Sequence, residues 1–389
     1  MSVISDALQG NNKIYYLLEI DLEGQKLRYS TSDVHVKYVS GTDLLFKGKL
    51  RSDPVVSRSF DFRSFRYNAS VISVSIINDE RLQDLEMIMK IDYATAKIWL
   101  WPEGLDWSYV INKPVFYGAV RKRDHNQYWY SIDLIDFVST KYDAISDETF
   151  TGTPAEVVKG VIDGHSSLDI SQVDYGSIWD LDSLLGSLSL SVLVDQRADT
   201  FDVVDRILGQ CKCARTQRHG KVSTAVFDIN APTTYYVGKY DLETEIDGIS
   251  ATPFELICNN LEVKYGPAAG AWGTTITRDR TNNPLCRQSY AVYGPQPQRQ
   301  LLLADCDSSA DAELCINRHL DFFAFRHDII PLDLPFYKAW NMLEGDVAEI
   351  TLEEGASSGG AGWVNEKFIL VEKSFMSNFI RTRWWRIGT

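Results

Sequence analysis

The sequence has no apolar run near the roughly 18 residues that span a bilayer. Its opening, MSVISDALQGNNK, lacks the basic start and apolar core of a secretory leader. Cysteine is sparse, six in 389 residues, too few for a disulfide scaffold. Reduced thiols acting as small core residues are expected, in a chain made and folded in a cytoplasm. Basic charge is also in deficit: 39 Lys and Arg against 53 Asp and Glu leave a net charge of −14. That balance excludes a protein that grips nucleic acid by its phosphates, because such binding needs clustered cations. No phosphate loop, dinucleotide fingerprint, nucleophile elbow or paired-His zinc helix occurs. Hydrolases that draw carboxylate pairs from distant strands carry no short motif and are not excluded.

The hydrophobic fraction of 44% and charged fraction of 24% belong to a folded chain. The length suits two or three domains. Aromatics reach 12%, with 10 Trp and 19 Tyr, which suits β-structure or surfaces used in assembly.

Residues 13 to about 143 read as strands. KIYYLLEIDL and KLRYSTSDVHVKYV join through Glu23-Gly24, a hairpin signal. In NASVISVSIIND, Ile72, Val74 and Ile76 alternate with Ser73 and Ser75, so one face is buried and one wetter. DERLQDLEMIMK puts Leu82, Leu85 and Met89 on one helical face with Asp79 as cap. AKIWLW, PVFYGAV and QYWYSIDLIDF resume the strands, the last with Tyr128, Tyr130, Ile132 and Leu134 on one side.

At Thr153-Pro154-Ala155-Glu156 an N-cap, a first-turn proline and a capping-box Glu precede the apolar face Val157, Val158, Val161 and Ile162. ADTFDVVDRILGQ starts a second helix at Asp199 or Thr200. Its VVDRIL echoes VVKGVI, which suggests two similar helix-plus-strand units. Beyond about 240, ELICNNLEVKYG and QSYAVYG read as strands around a long loop from Gly266 to about Pro284. A helix capped by Asp307 or Ser308 turns Ala312, Cys315, Ile316, His319, Leu320 and Phe323 inward. PLDLPFYKAW, VAEITLEE, NEKFILVEKSF and NFIRTRWWRI complete a second β-domain. The expected division is 1–145, a β-barrel; 146–240, helix–strand modules; and 241–389, a second β-barrel with a long loop and one helix.

Candidate chemistry is thin. His35, His125, His165, His219, His319 and His327 show no i, i+4 pairing, so structural roles are favoured over metal. Cys211, Cys213, Cys258, Cys286, Cys306 and Cys315 could hold zinc or an iron–sulfur cluster. Their spacing fits no compact knuckle, and buried thiols are favoured. DLETEID and SQVDYGSIWDLDS read as solvated acidic faces, since DLDS lacks the Gly and closing Glu of a calcium loop. Trp384 and Trp385 on one strand point to opposite sides, one to a core and one to an outer surface or a neighbour. Glu344 and Asp346 in LEGD could pass for a catalytic pair. Placed at a turn where Gly345 reverses the chain, they are expected instead to stay in water at a barrel corner. There Leu332, Leu334 and Phe336 before the turn, and Ala348, Ile350 and Leu352 after it, each line one side of a strand. No catalytic, cofactor or metal residue is assigned.

The order of parts resembles the baseplate or tail-tip hub proteins of tailed bacteriophages. The resemblance rests on the EIDL…LRYST hairpin from Glu19 to Thr31, helix–strand units from Thr153, a Tyr-Gly-Pro region, a helix from Ala310 to Leu320, and LDLP…LEGDVAEIT from Leu332 to Thr351. It implies a mainly β fold with α+β insertions: two tail tube-like antiparallel β-barrels flanking small α/β modules. It also implies a structural virion protein without enzymatic activity, made and assembled in the host cytoplasm. Such a hub is a homotrimer that joins the distal tail or tube protein to a tip spike or fibre. Its acidic channel passes DNA and tape-measure protein without specific binding. No lysozyme-like or peptidase appendage is evident. The alternatives are a carbohydrate-active hydrolase using dispersed Asp and Glu, or a receptor- or sugar-binding virion module built on exposed Trp and Tyr.

Overall fold

The computed structural model describes residues 3–9, 12–38, 41, 43–61, 65–68, 71–77, 82, 84, 91–126, 128–136, 144–246, 248–266, 273–354 and 361–387. After a short helix α1 (Val3–Gln9) come β1 (Ile14–Leu22), β2 (Gln25–Ser30), β3 (Val34–Lys37), β4 (Asp43–Gly48), β5 (Val56–Asp61), β6 (Arg66–Asn68), β7 (Val71–Ile77), β8 (Thr95–Pro102), β9 (Phe116–His125) and β10 (Trp129–Asp136). The β1–β2 turn has φ of 50° at Glu23 and 93° at Gly24, the positive pair that matches strand twist in a tight hairpin. The expected single strand from Lys26 to Val39 is divided into β2 and β3 by bends at Thr31 and Ser32.

The first sheet runs β3-β4-β2-β1-β8-β9-β10-β7. Residues 49–51 lie between β2 and β7 and close it. Leu50 N donates to Ser30 O at 2.8 Å, Arg51 N to Ser75 O at 2.9 Å, and Ile77 N to Lys49 O at 2.7 Å. The result is a small barrel filled by side chains. Tyr16, Leu18, Ile20, Ile72, Val74, Ile76, Ile132 and Leu134 belong to its core, as alternation predicts, whereas Tyr128 is 64% exposed. The opposite side of β1 is buried too, since Leu17, Trp99 and Trp101 lie in one cluster with Val34, Val36 and Phe46 of the β3–β4 flap. The helix expected over 79–90 falls largely outside the described residues, although Leu82 is buried.

The middle holds β11 (Ala144–Ile145), β12 (Glu148–Gly152), α2 (Pro154–His165), α3 (Tyr175–Leu185), β13 (Leu190–Val194), β14 (Ala198–Asp199), α4 (Thr200–Gln210), β15 (Cys213–Arg218) and β16 (Lys221–Val226). The capping box of α2 is as expected: Glu156 N donates to Thr153 Oγ1 at 3.3 Å and Thr153 N to Glu156 Oε2 at 3.0 Å. The acidic stretch around DLDS is not a mere solvated face. It forms α3, whose Ile178, Leu181 and Leu185 are buried, and Asp182 accepts from Ala155 N at 3.0 Å and Thr153 Oγ1 at 2.7 Å.

The last third holds β17 (Tyr235–Gly238), β18 (Ser250–Ala251), β19 (Leu261–Tyr265), β20 (Thr274–Arg278), α5 (Pro284–Tyr293), β21 (Arg299–Leu303), α6 (Ser309–Phe323), β22 (Asp328–Leu334), α7 (Phe336–Ala339), β23 (Val347–Glu354), β24 (Ala361–Phe375) and β25 (Ile380–Arg386). QSYAVYG is helical, not a strand. Asn283 caps α5 by accepting from Cys286 N at 3.1 Å, and Pro284 sits in the first turn, so the start signal outweighs the β-preference of Tyr and Val. The expected long loop contains β20, paired with β19. Phe336 opens α7 instead of extending β22, because Pro335 ends the strand.

The second sheet runs β17-β23-β24-β25-β22-β18, and β5 from the first third adds to β24. Its outer edges are both lined by the segment that carries β17 and β18, which curls the sheet toward a barrel. The fold is mainly β with helical insertions. Pairing is not wholly antiparallel, since β2–β4, β17–β23 and β19–β21 run parallel. One core unites the two sheets, with Tyr16 and Leu100 in the same cluster as Leu332, Phe368 and Trp384. The middle modules cover the other side of the second sheet through Val347, Ile369, Val371 and Trp385.

Candidate functional site

Tight local hydrogen bonds build the LEGD corner. Leu343 N donates to Asp346 Oδ2 at 2.7 Å and Asp346 N to Leu343 O at 3.0 Å. The corner is stitched to β24 by Gly345 N to Leu370 O and Leu370 N to Asp346 O, each 2.8 Å. Gly345 has φ of 93°, and a Cβ there would lie 2.5 Å from Val226 O. Both the positive φ and the close approach demand glycine. Gly345→Ala is expected to cost roughly 1–3 kcal/mol through backbone strain, read as a lower urea midpoint at unchanged slope. A wild-type midpoint would refute this corner geometry.

The corner is as the alternation predicts, with Leu332, Leu334, Ala348, Ile350 and Leu352 buried. The solvation of its acids is not. Glu344 is only 5% exposed, and burial pushes the Asp346 carboxyl up to about 6. Behind them, Lys373 donates to Trp340 O at 2.9 Å and Met342 O at 2.8 Å. Burial pulls its ammonium down to about 7, against the opposing pull of Glu344. Arg58 on β5 is also buried and donates to Val115 O at 2.7 Å. The acids were expected in water because a turn usually lies at the surface. Here the β15–β16 hairpin, with Val226 O against Gly345, covers the turn.

All six thiols are free and buried, and three of them meet. Cys306 and Cys315 Sγ lie 3.8 Å apart, and Cys211 also hydrogen-bonds Cys315. Hydrogen bonding to Cys315 and burial push the Cys211 and Cys306 thiols up. Buried Lys212 stands beside them, over the Phe65 and Phe323 rings at 4.9 and 5.8 Å. Burial draws its ammonium down to about 8. Among the described residues, no three His, Cys, Asp or Glu side chains form an arrangement suited to a metal ion. The packed cation beside the thiols would itself oppose one.

No protein-family model matches the sequence, and no curated protein does. Solved structures do. A tail protein from Neisseria meningitidis superposes with a TM-score of 0.51 at 9% identity, over 95% of this chain and 96% of that one. The chain has the fold of that tail protein. A prophage tail protein from Listeria monocytogenes matches at TM-score 0.47, 11% identity and coverage of 91% and 94%. A 43 kDa prophage tail protein from Shewanella oneidensis matches at 0.49, 8% identity and coverage of 96% and 98%.

Within this tail-protein fold the paired tryptophans take opposite sides of β25, but neither reaches the surface. Trp384 enters the core shared by the two sheets, and Trp385 stacks on His327 at 5.6 Å under the middle modules. The outer face that alternation assigned to a neighbour is filled by the chain itself. Sequence reasoning missed Lys373 and Arg58. A register shift between Leu370 and Glu372 reverses the parity of β24, so Lys373 turns inward without any sign in the alternation pattern.

Proposed function

We propose that this chain is a structural hub of a phage baseplate or tail tip. Three copies form a ring that joins the tail tube to a tip spike or fibre, in a virion assembled in the host cytoplasm. The observation that carries the proposal is the fold shared along 95% of the chain with a tail protein. Two β-sheets joined by one core and buttressed by the middle modules supply a stiff adaptor. The role is mechanical and needs no catalytic residues. In the proposed division, 1–145 and 241–389 form the ring and 146–240 brace it.

The net charge of −14 supports a channel role. A ring with an acidic lumen repels DNA phosphates and lets DNA and tape-measure protein pass without sticking. The test is native mass measurement with negative-stain imaging. A ring of three copies is expected; a robust monomer at assembly concentrations would sink the hub.

A further inference from the structure

Beside the LEGD corner is a cavity of about 210 Å³ between α3, the β15–β16 hairpin and the start of β23. Four carboxylates line it, Glu344, Asp346, Asp180 and Asp228, together with one cation, Arg218. Glu344 is buried to 5% exposure, and its Oε1 has no hydrogen-bond partner among the described residues. An unpartnered buried carboxylate oxygen is costly and calls for a donor.

The chain's own cations act on these acids through their fields, Lys373 on Glu344 and Asp346 and Arg218 on Asp346, but Glu344 Oε1 receives no hydrogen bond from them. Lys373 gives its hydrogen bonds to Trp340 O and Met342 O, and Arg58 binds Val115 O. Arg218 Nη1 lies 3.9 Å from Asp174 Oδ2. The cavity is smaller than the roughly 300–1,000 Å³ of sites that enclose a small molecule, so its size favours a single inserted side chain.

We propose that this cavity is a socket for an arginine side chain presented by a partner protein. A planar guanidinium offers forked donors suited to carboxylates, and its weaker hydration makes burial less costly than for an ammonium. Glu344 supplies the deep acceptor, while exposed Asp180 on α3 guides the incoming charge. The socket goes beyond the tail reading and does not depend on it.

The probe is agmatine, a guanidinium on a short alkyl chain, titrated calorimetrically into the full chain at constant ionic strength. Saturable binding is expected, weakened about tenfold or more in Glu344→Gln and less in Asp180→Asn; the second variant changes an exposed residue and guards against misfolding of the first. No saturable binding to the wild type would overturn the proposal, as would affinity unchanged in both variants. Equal binding of butylamine would overturn it in favour of any small cation. Binding that emerges only in Arg218→Ala would show that the chain's own arginine fills the socket, and would overturn it too. A trimeric ring that ignores agmatine would sink the socket and leave the hub standing; a monomer that binds agmatine would do the reverse.

Discussion

Asp205→Asn is expected to lower stability by about 3–5 kcal/mol, the cost of leaving one member of a buried ion pair without its counter-charge. Arg215 on β15 grips Asp205 on α4 with Nε to Oδ1 and Nη2 to Oδ2, both at 2.9 Å. Each side chain is 7% exposed. The guanidinium also packs over the Phe201 ring at 4.5 Å, and with Asp205 gone it keeps the field of buried Asp136 but loses the forked carboxylate. Asp205→Leu with Arg215→Met should recover only part of the loss, because the apolar pair carries no desolvation cost of its own but buried Asp136 loses the field of Arg215. Equilibrium urea unfolding checks both. A loss under about 1 kcal/mol for the single variant would mean that water reaches the pair.

Acidification from pH 6.5 to pH 4 should remove about 3 kcal/mol of stability through His219 alone, at ~1.4 kcal/mol per pH unit. Burial, reinforced by Arg58, Arg218, Lys373 and Lys113, draws this imidazole from 6.5 down to about 3. The folded value lies below the unfolded one, so the unfolded chain takes the proton first. The stabilisation is present above pH 6.5 and is lost as the pH falls toward 3. Asp346 works the other way: its folded value of about 6 exceeds the ordinary 3.8, so its share is present in acid and is lost as the pH rises through 6. Of these two opposing contributions the histidine shift is the larger. His219→Asn should flatten the acid limb of a stability–pH curve while tolerating the φ of 49° at this turn. An unchanged limb would clear His219 of the effect. The hairpin tip is also where the middle modules dock on the first barrel. Gln217 Nε2 donates to Tyr117 O at 2.7 Å, and a Cβ on Gly220 would lie 2.7 Å from Pro114 Cγ.

Much was legible from local chemistry. The Glu23-Gly24 turn, the Thr153 capping box, the Asp199 cap and the alternation of Ile72, Val74 and Ile76 are interactions over a few residues, and a chain segment carries them wherever it lies. The same holds for the overall β class and for the strands on either side of LEGD. The signals failed where two local preferences competed, as in α5, where an Asn-Pro start overrode a β-favouring run.

Tertiary structure alone decided which charges would be buried and where the sheets would close. Glu344, Asp346, Lys373 and Arg58 look like ordinary surface residues in sequence. Their burial comes from a hairpin more than a hundred residues away from LEGD and a strand, β5, from the opposite end of the chain. Closure of the first barrel depends on three residues, 49–51, bridging strands that period-two alternation cannot order. Desolvation and strand order are properties of what packs against a residue, and no window of neighbouring residues contains that information.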